Sequence, residues 1–145
     1  QAADSATPEV NTFKLLDMGM TLDLTAVTRP TNVEVVDLSN GANAGHNMIK
    51  MDLSSFIGLS DVLDNPATSG VDESKMLVVN GHAGDSAELT DSLNWNTVTT
   101  GQTAATLSST FGEAYHFVPG HTYSQLNQNG ATLFIDEAIT RNTHG

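Results

Sequence analysis

Cysteine is absent from the 145 residues, so the fold holds no disulfide and the chain has neither thiol chemistry nor a thiolate zinc site. Basic residues are scarce: five Lys and Arg stand against seventeen Asp and Glu, for a net charge of −12. A surface of that sign repels phosphate backbones and anionic lipid, which argues against nucleic acid as a partner. No apolar run approaches the roughly 20 residues of a membrane-spanning helix, so membrane insertion is not expected. The opening "QAADSATPEV" lacks the basic and apolar segments of a signal peptide, as expected of a mature form or of a piece of something longer. The acidic residues are dispersed among Thr, Ser, Asn and Gly, the pattern of a folded acidic surface and not of a disordered tail. Hard cations are therefore the first ligands to consider.

What is present is mostly β-structure. Short runs bounded by turn residues recur: "TLDLTAV", "NVEVVDLS", "NMIKMDL", "KMLVVN", "SAELT", "YHFV", "TYSQL" and "ATLFIDEAI". Several alternate polar with apolar, Val33 and Val35 against Glu34 and Val36, the period of a half-buried strand. Asn-Gly pairs at 40–41, 80–81 and 129–130 suit tight turns, and the last predicts a C-terminal antiparallel hairpin of "TYSQLN" with "ATLFID". In "SSFIGLSDVLDNP" the residues Phe56, Ile57, Leu59, Val62 and Leu63 share a helical face, predicting a short helix over about 54–64 that ends at Asp64-Asn65-Pro66. "ATSGVDES" and "TVTTGQTAATLSSTFGE" read as exposed loops, the second long enough for part of it to pair.

The expected fold is a single all-β domain over 1–145, with a core over about 12–140, of β-sandwich or β-roll-like form. Three of the strands end in Asp-Leu followed shortly by Ser, Thr or Asn, their starts about a dozen residues apart. Stacked solenoid strands and a β-meander both give that pattern.

Gly84-Asp85-Ser86 follows an apolar strand and has the form of a nucleophile motif of the GDS esterases. A triad also requires a fixed base. Asp136 and His144 lie eight apart instead of in an Asp-x-x-His, and His144 is the penultimate residue. A Gly-rich turn between two strands explains the tripeptide without chemistry. His116 and His121 flank the turn "FVPG", which can bring two imidazoles together, but zinc wants three or four ligands and no third is signalled. His46 and His82 lie in Gly-rich turns, where exposure is the default. Calcium takes six to eight oxygens from carboxylates, amides and carbonyls. Asp37 with Asn40, Asn80 with Asp85, and Asp136 supply such oxygens at strand ends. No EF-hand spacing or "GGxGxD" repeat accompanies them, and Asp and Asn also cap turns through their own backbone. Trp95, the one indole, is either a stacking platform for a carbohydrate or a core anchor.

Taken together, "NVEVVDLSNGANAGHNMIKMDLSSFIGLSDVLD", "KMLVVNGHAGDSAELTDSLNW" and "HTYSQLNQNGATLFIDEAI" resemble a module of giant type I-secreted, RTX-type bacterial adhesins. In that module an "IE-IDL" strand leads to "L-L-L-DVLDL", then "L-V-G-AGD-V-L", a tryptophan and a closing "Y-VY-GATLLVD" hairpin. The match spans about residues 21 to 139, and His82 stands where an acidic residue is usual. The resemblance implies a non-catalytic module of a long, secreted cell-surface protein, with calcium rigidifying the array. Its partners would be neighbouring modules or identical subunits, with a carbohydrate or protein surface as ligand. Two other classes remain beside it: a self-assembling extracellular filament subunit that uses strand addition, and an esterase or carbohydrate-active enzyme.

Overall fold

The computed structural model describes residues 12–15, 19–24, 33–38, 47–51, 76–89, 96–128 and 131–143. Among these residues ten strands run β1 (Thr12–Lys14), β2 (Thr21–Asp23), β3 (Val35–Asp37), β4 (Met48–Met51), β5 (Met76–Asn80), β6 (Ser86–Leu89), β7 (Asn96–Thr103), β8 (Thr122–Gln128), β9 (Ala131–Asp136) and β10 (Thr140–Thr143). They form an all-β, two-sheet architecture with one α-helix among the described residues, α1 (Ala104–Phe111). The helix expected at 54–64 lies outside the described residues.

From β1 to β6, and again from β9 to β10, successive strands alternate between the sheets, and this settles the choice left open by the spacing. The first sheet has the order β1-β3-β5-β9-β8-β7 and the second β10-β6-β4-β2. β1, β3, β5 and β9 pair in parallel, as do β2, β4, β6 and β10. A meander pairs neighbours antiparallel within one sheet. Here each pair β1–β2, β3–β4, β5–β6 and β9–β10 is one rung of a parallel solenoid. The expected hairpin is present as β8 against β9, with Tyr123 opposite Asp136 and Leu126 opposite Leu133. β7 then extends the first sheet, with register shifts at Thr97/Thr99 and Thr99/Gln102.

In-register columns make the core. Phe13, Val36, Val79 and Ile135 lie side by side across the first sheet, facing Leu22, Ile49 and Ala87 of the second. Fully burying a Val, Leu or Ile is worth about 1.5–3 kcal/mol, so these columns outweigh the weak propensity of three-residue strands. Gly81 leaves room for its neighbours: a Cβ there would lie 2.8 Å from Ile139 Cδ1 and Cγ1, so that side chain would have to shift.

The outer face of the first sheet is covered too, which corrects the half-buried reading of β3. All five residues of β5 are buried. Val35, Met76, Val78, Tyr123 and Phe134 form a second core with Ala104 and Leu107 of α1 and with Tyr115 and Phe117. A parallel sheet buried on both faces reads as a continuous apolar run, and "MLVV" is one. The segment read as a loop therefore carries β7 and α1. Thr103 caps the helix, its Oγ1 accepting from Thr106 N at 3.2 Å, and Gly112 ends it at φ 104°. "YHFV" is not a strand either. Glu113–Tyr115 is a 3-10 turn, and His116 at φ 57° turns the chain so that Phe117 packs edge-on against Tyr123 and Phe134.

Candidate functional site

Two polar clusters occur where the strands of the first sheet end. The first lies in the corner leading to the second sheet. Asp85 is 1% exposed; its Oδ1 accepts from Asn47 N at 3.0 Å and its Oδ2 from His82 N at 2.8 Å. Asn47, fully buried, donates from Nδ2 to Leu38 O and accepts from Met20 N at Oδ1, both at 2.8 Å. The rungs are thus stitched to one another at the corner, side chain to backbone, and each buried polar group has its partner.

The second cluster sits on the outer face, at the mouth between β5, β8, β9 and the 116–121 loop. Asn80 and Asp136 lie one step beyond the Val79–Ile135 pair, and Asp37 is opposite Asn80. Asn80 is buried; its Nδ2 donates to His116 O at 3.0 Å, and its Oδ1 accepts from the Tyr123 hydroxyl. That hydroxyl accepts from Val118 N at 2.8 Å. Burial, with repulsion from Asp136 and Asp37 added, pushes the Tyr123 phenol well above its ordinary value although the Val118 N–H opposes the shift. Asp136, 1% exposed, takes Ala138 N–H at 2.9 Å on Oδ1 and lies 2.6 Å from His121 Nδ1 through Oδ2. The His121 ring, a quarter exposed, meets the His82 ring edge to face with centroids 5.8 Å apart.

The oxygens expected to bind calcium are thereby placed. Asp37 lies 3.8 Å from Lys14 Nζ. Asn80 and Asp136 belong to the mouth and Asp85 to the corner, where both carboxylate oxygens hold backbone N–H groups. Asn40 and Trp95 lie outside the described residues, as do His46 and His144. Among the described residues no group of three or more His, Asp and Glu side chains is placed to hold a metal ion.

Ser86 opens β6, where Ala87 and Leu89 point into the core and Ser86 and Glu88 therefore point out from the second sheet. The His121–Asp136 contact is on the outer face of the first sheet, so the fold does not bring it to Ser86. The "FVPG" turn does not pair His116 with His121 either. It delivers His121 to Asp136 and His82, while the His116 ring stays exposed. Sequence reading missed that pairing, because β5 and β8 become neighbours of one another only through β9.

No protein-family model matches the chain, and no curated protein or solved structure matches it. Among the described residues no helix is long and apolar enough to cross a membrane.

Proposed function

We propose that the chain is a non-catalytic structural and adhesive module of a bacterial extracellular surface protein. The observation that carries this reading is the stacked solenoid, whose buried Asn47 and Asp85 are committed to backbone groups within their corners and on the neighbouring rungs. Such side chains stiffen a spacer and leave nothing over for chemistry. The order of motifs shared with the RTX-type adhesin module supports it, as does a net charge of −12, which suits a calcium-rich exterior. Within this reading calcium would act on strand-end carboxylates. In Asp85 and Asp136 both oxygens already have partners within the fold.

The test combines reactivity with association state. The purified chain is incubated with a serine-reactive fluorophosphonate and with chromogenic esters and glycosides, then followed by light scattering across a salt and calcium series. A module stays unlabelled, turns over nothing, remains monomeric at micromolar concentration and melts higher in millimolar calcium, reversibly with chelator. Stoichiometric labelling at Ser86 establishes the esterase reading, and ordered polymers establish the filament subunit. A melting temperature indifferent to calcium removes the ion from the proposal.

A further inference from the structure

His82 and His121 are brought together by strands that are not adjacent in sequence, at the rim of the mouth, and the backbone bonds described above do not use their rings. We propose that these two imidazoles form a two-ligand site for a divalent transition ion of the Zn2+, Ni2+ or Cu2+ class.

The first support is distance. Two imidazoles bound to one ion at the usual N–metal length of about 2 Å have ring centroids roughly 5 Å apart. The observed separation is 5.8 Å at an interplanar angle of 68°, within reach of a modest side-chain rotation. The second is the set of the His121 ring. Its Nδ1 lies 2.6 Å from Asp136 Oδ2, and that carboxylate is itself anchored by Ala138 N–H. A proton fixed on Nδ1 leaves the Nε2 lone pair for a ligand, the arrangement by which a carboxylate orients and strengthens a metal-bound histidine. Asp136 is thus a positioning residue and not a ligand. The third is access. The His121 side chain is 25% exposed and His82 is half-buried in its turn, so an ion enters without unfolding anything. The acidic surface, with Asp37 on the same face, concentrates cations there.

Ligand chemistry separates this site from the calcium reading. Imidazole nitrogens favour zinc, nickel and copper, whereas calcium takes oxygens. With two protein ligands the remaining coordination positions belong to water, so the site binds more weakly than a closed four-ligand zinc centre and exchanges its ion readily.

Titration of the full chain with Zn2+ and with Ni2+, by calorimetry and by 1H–15N spectra of the histidine rings, tests this. One ion per chain is expected, with the His82 and His121 ring signals shifting together and millimolar calcium failing to compete. His82→Ala should weaken binding at least tenfold. Asp136→Asn should weaken it about 10- to 100-fold and release the His121 ring from its single tautomer. His116→Asn, which suits the left-handed backbone there, should change nothing. The spectra also report whether each variant is folded. Absence of saturable binding to the folded wild type, unchanged affinity in folded His82→Ala, or calcium competing on equal terms would each overturn the proposal.

Discussion

The corner and the mouth both use Asn and Asp at strand ends, Asn47 and Asp85 just before β4 and β6 and Asn80 and Asp136 at the close of β5 and β9, yet they spend their polarity differently. In the corner, Asn47 and Asp85 face backbone N–H and C=O groups: Met20 N to Asn47 and Asn47 N to Asp85 join one rung to the next, while Asn47 to Leu38 O and His82 N to Asp85 tie the corner within a rung. In the mouth, Asn80 and Tyr123 bond to each other and to the 116–121 loop, and Asp136 bonds to His121, whose ring meets that of His82, both imidazoles reaching solvent. A cluster that closes on the backbone fixes the fold. One that ends in side chains at the surface has capacity left for a ligand.

The sharpest way to break this contrast is Asp85→Ala. It leaves the Asn47 and His82 N–H groups without their acceptor in a buried corner, and the expected loss is about 3 kcal/mol in urea unfolding. A loss under about 1 kcal/mol would mean that the corner is not the brace described here.

Tyr123→Phe probes the mouth. At neutral pH it removes the hydroxyl shared by Asn80 and Val118, for an expected loss of about 1 kcal/mol. The pH dependence is more specific. An unfolded tyrosine ionises near pH 10, whereas burial keeps the folded Tyr123 protonated beyond that. Its contribution is fully present below pH 10 and is lost as pH rises above it, because only the unfolded state gives up the proton. Wild type should therefore lose stability progressively above about pH 10, and Tyr123→Phe should lose less over that interval. Parallel curves for the two proteins would rule out a buried phenol.

The smallest effect belongs to Glu137, at the surface. The Thr122 hydroxyl, with Gly101 N–H, Ser124 and Arg141, holds its carboxyl below the usual range. That contribution is present above the ordinary glutamate range and is lost as pH falls through the lowered value. Glu137→Gln should shift the melting temperature slightly at neutral pH and not at all in strong acid. A shift that persists unchanged in strong acid would mean that the carboxylate's charge is not its source.

How much of this could be read beforehand depends on the range of the signal. The apolar run Met76–Val79 and the turn residues Asn129-Gly130 are local, and β5 and the β8–β9 hairpin followed from them. The helix α1 was hidden by Thr and Ser, although Ala104, Leu107 and Phe111 recur at helical spacing and face the second core. The parallel pairing was not legible, because rungs of unequal length set Thr12 against Val35 and Val35 against Val78. The mouth depends on that pairing, and so His82 and His121 could be named as residues but not joined.

Among the described residues the two sheets differ in width, six strands against four. β8 and β7 overhang the last rung by two strand spacings, about 10 Å. Below them, in the column that begins Leu22–Ile49–Ala87, stands Arg141, beside a groove of about 450 Å3 shared with Thr100, Ser124, Glu137 and Ile139. A second copy translated to set its β2 against β10 would drive its β1 into β8. The overhanging strands therefore close this end of the first sheet to continuation of the parallel stack by a second copy.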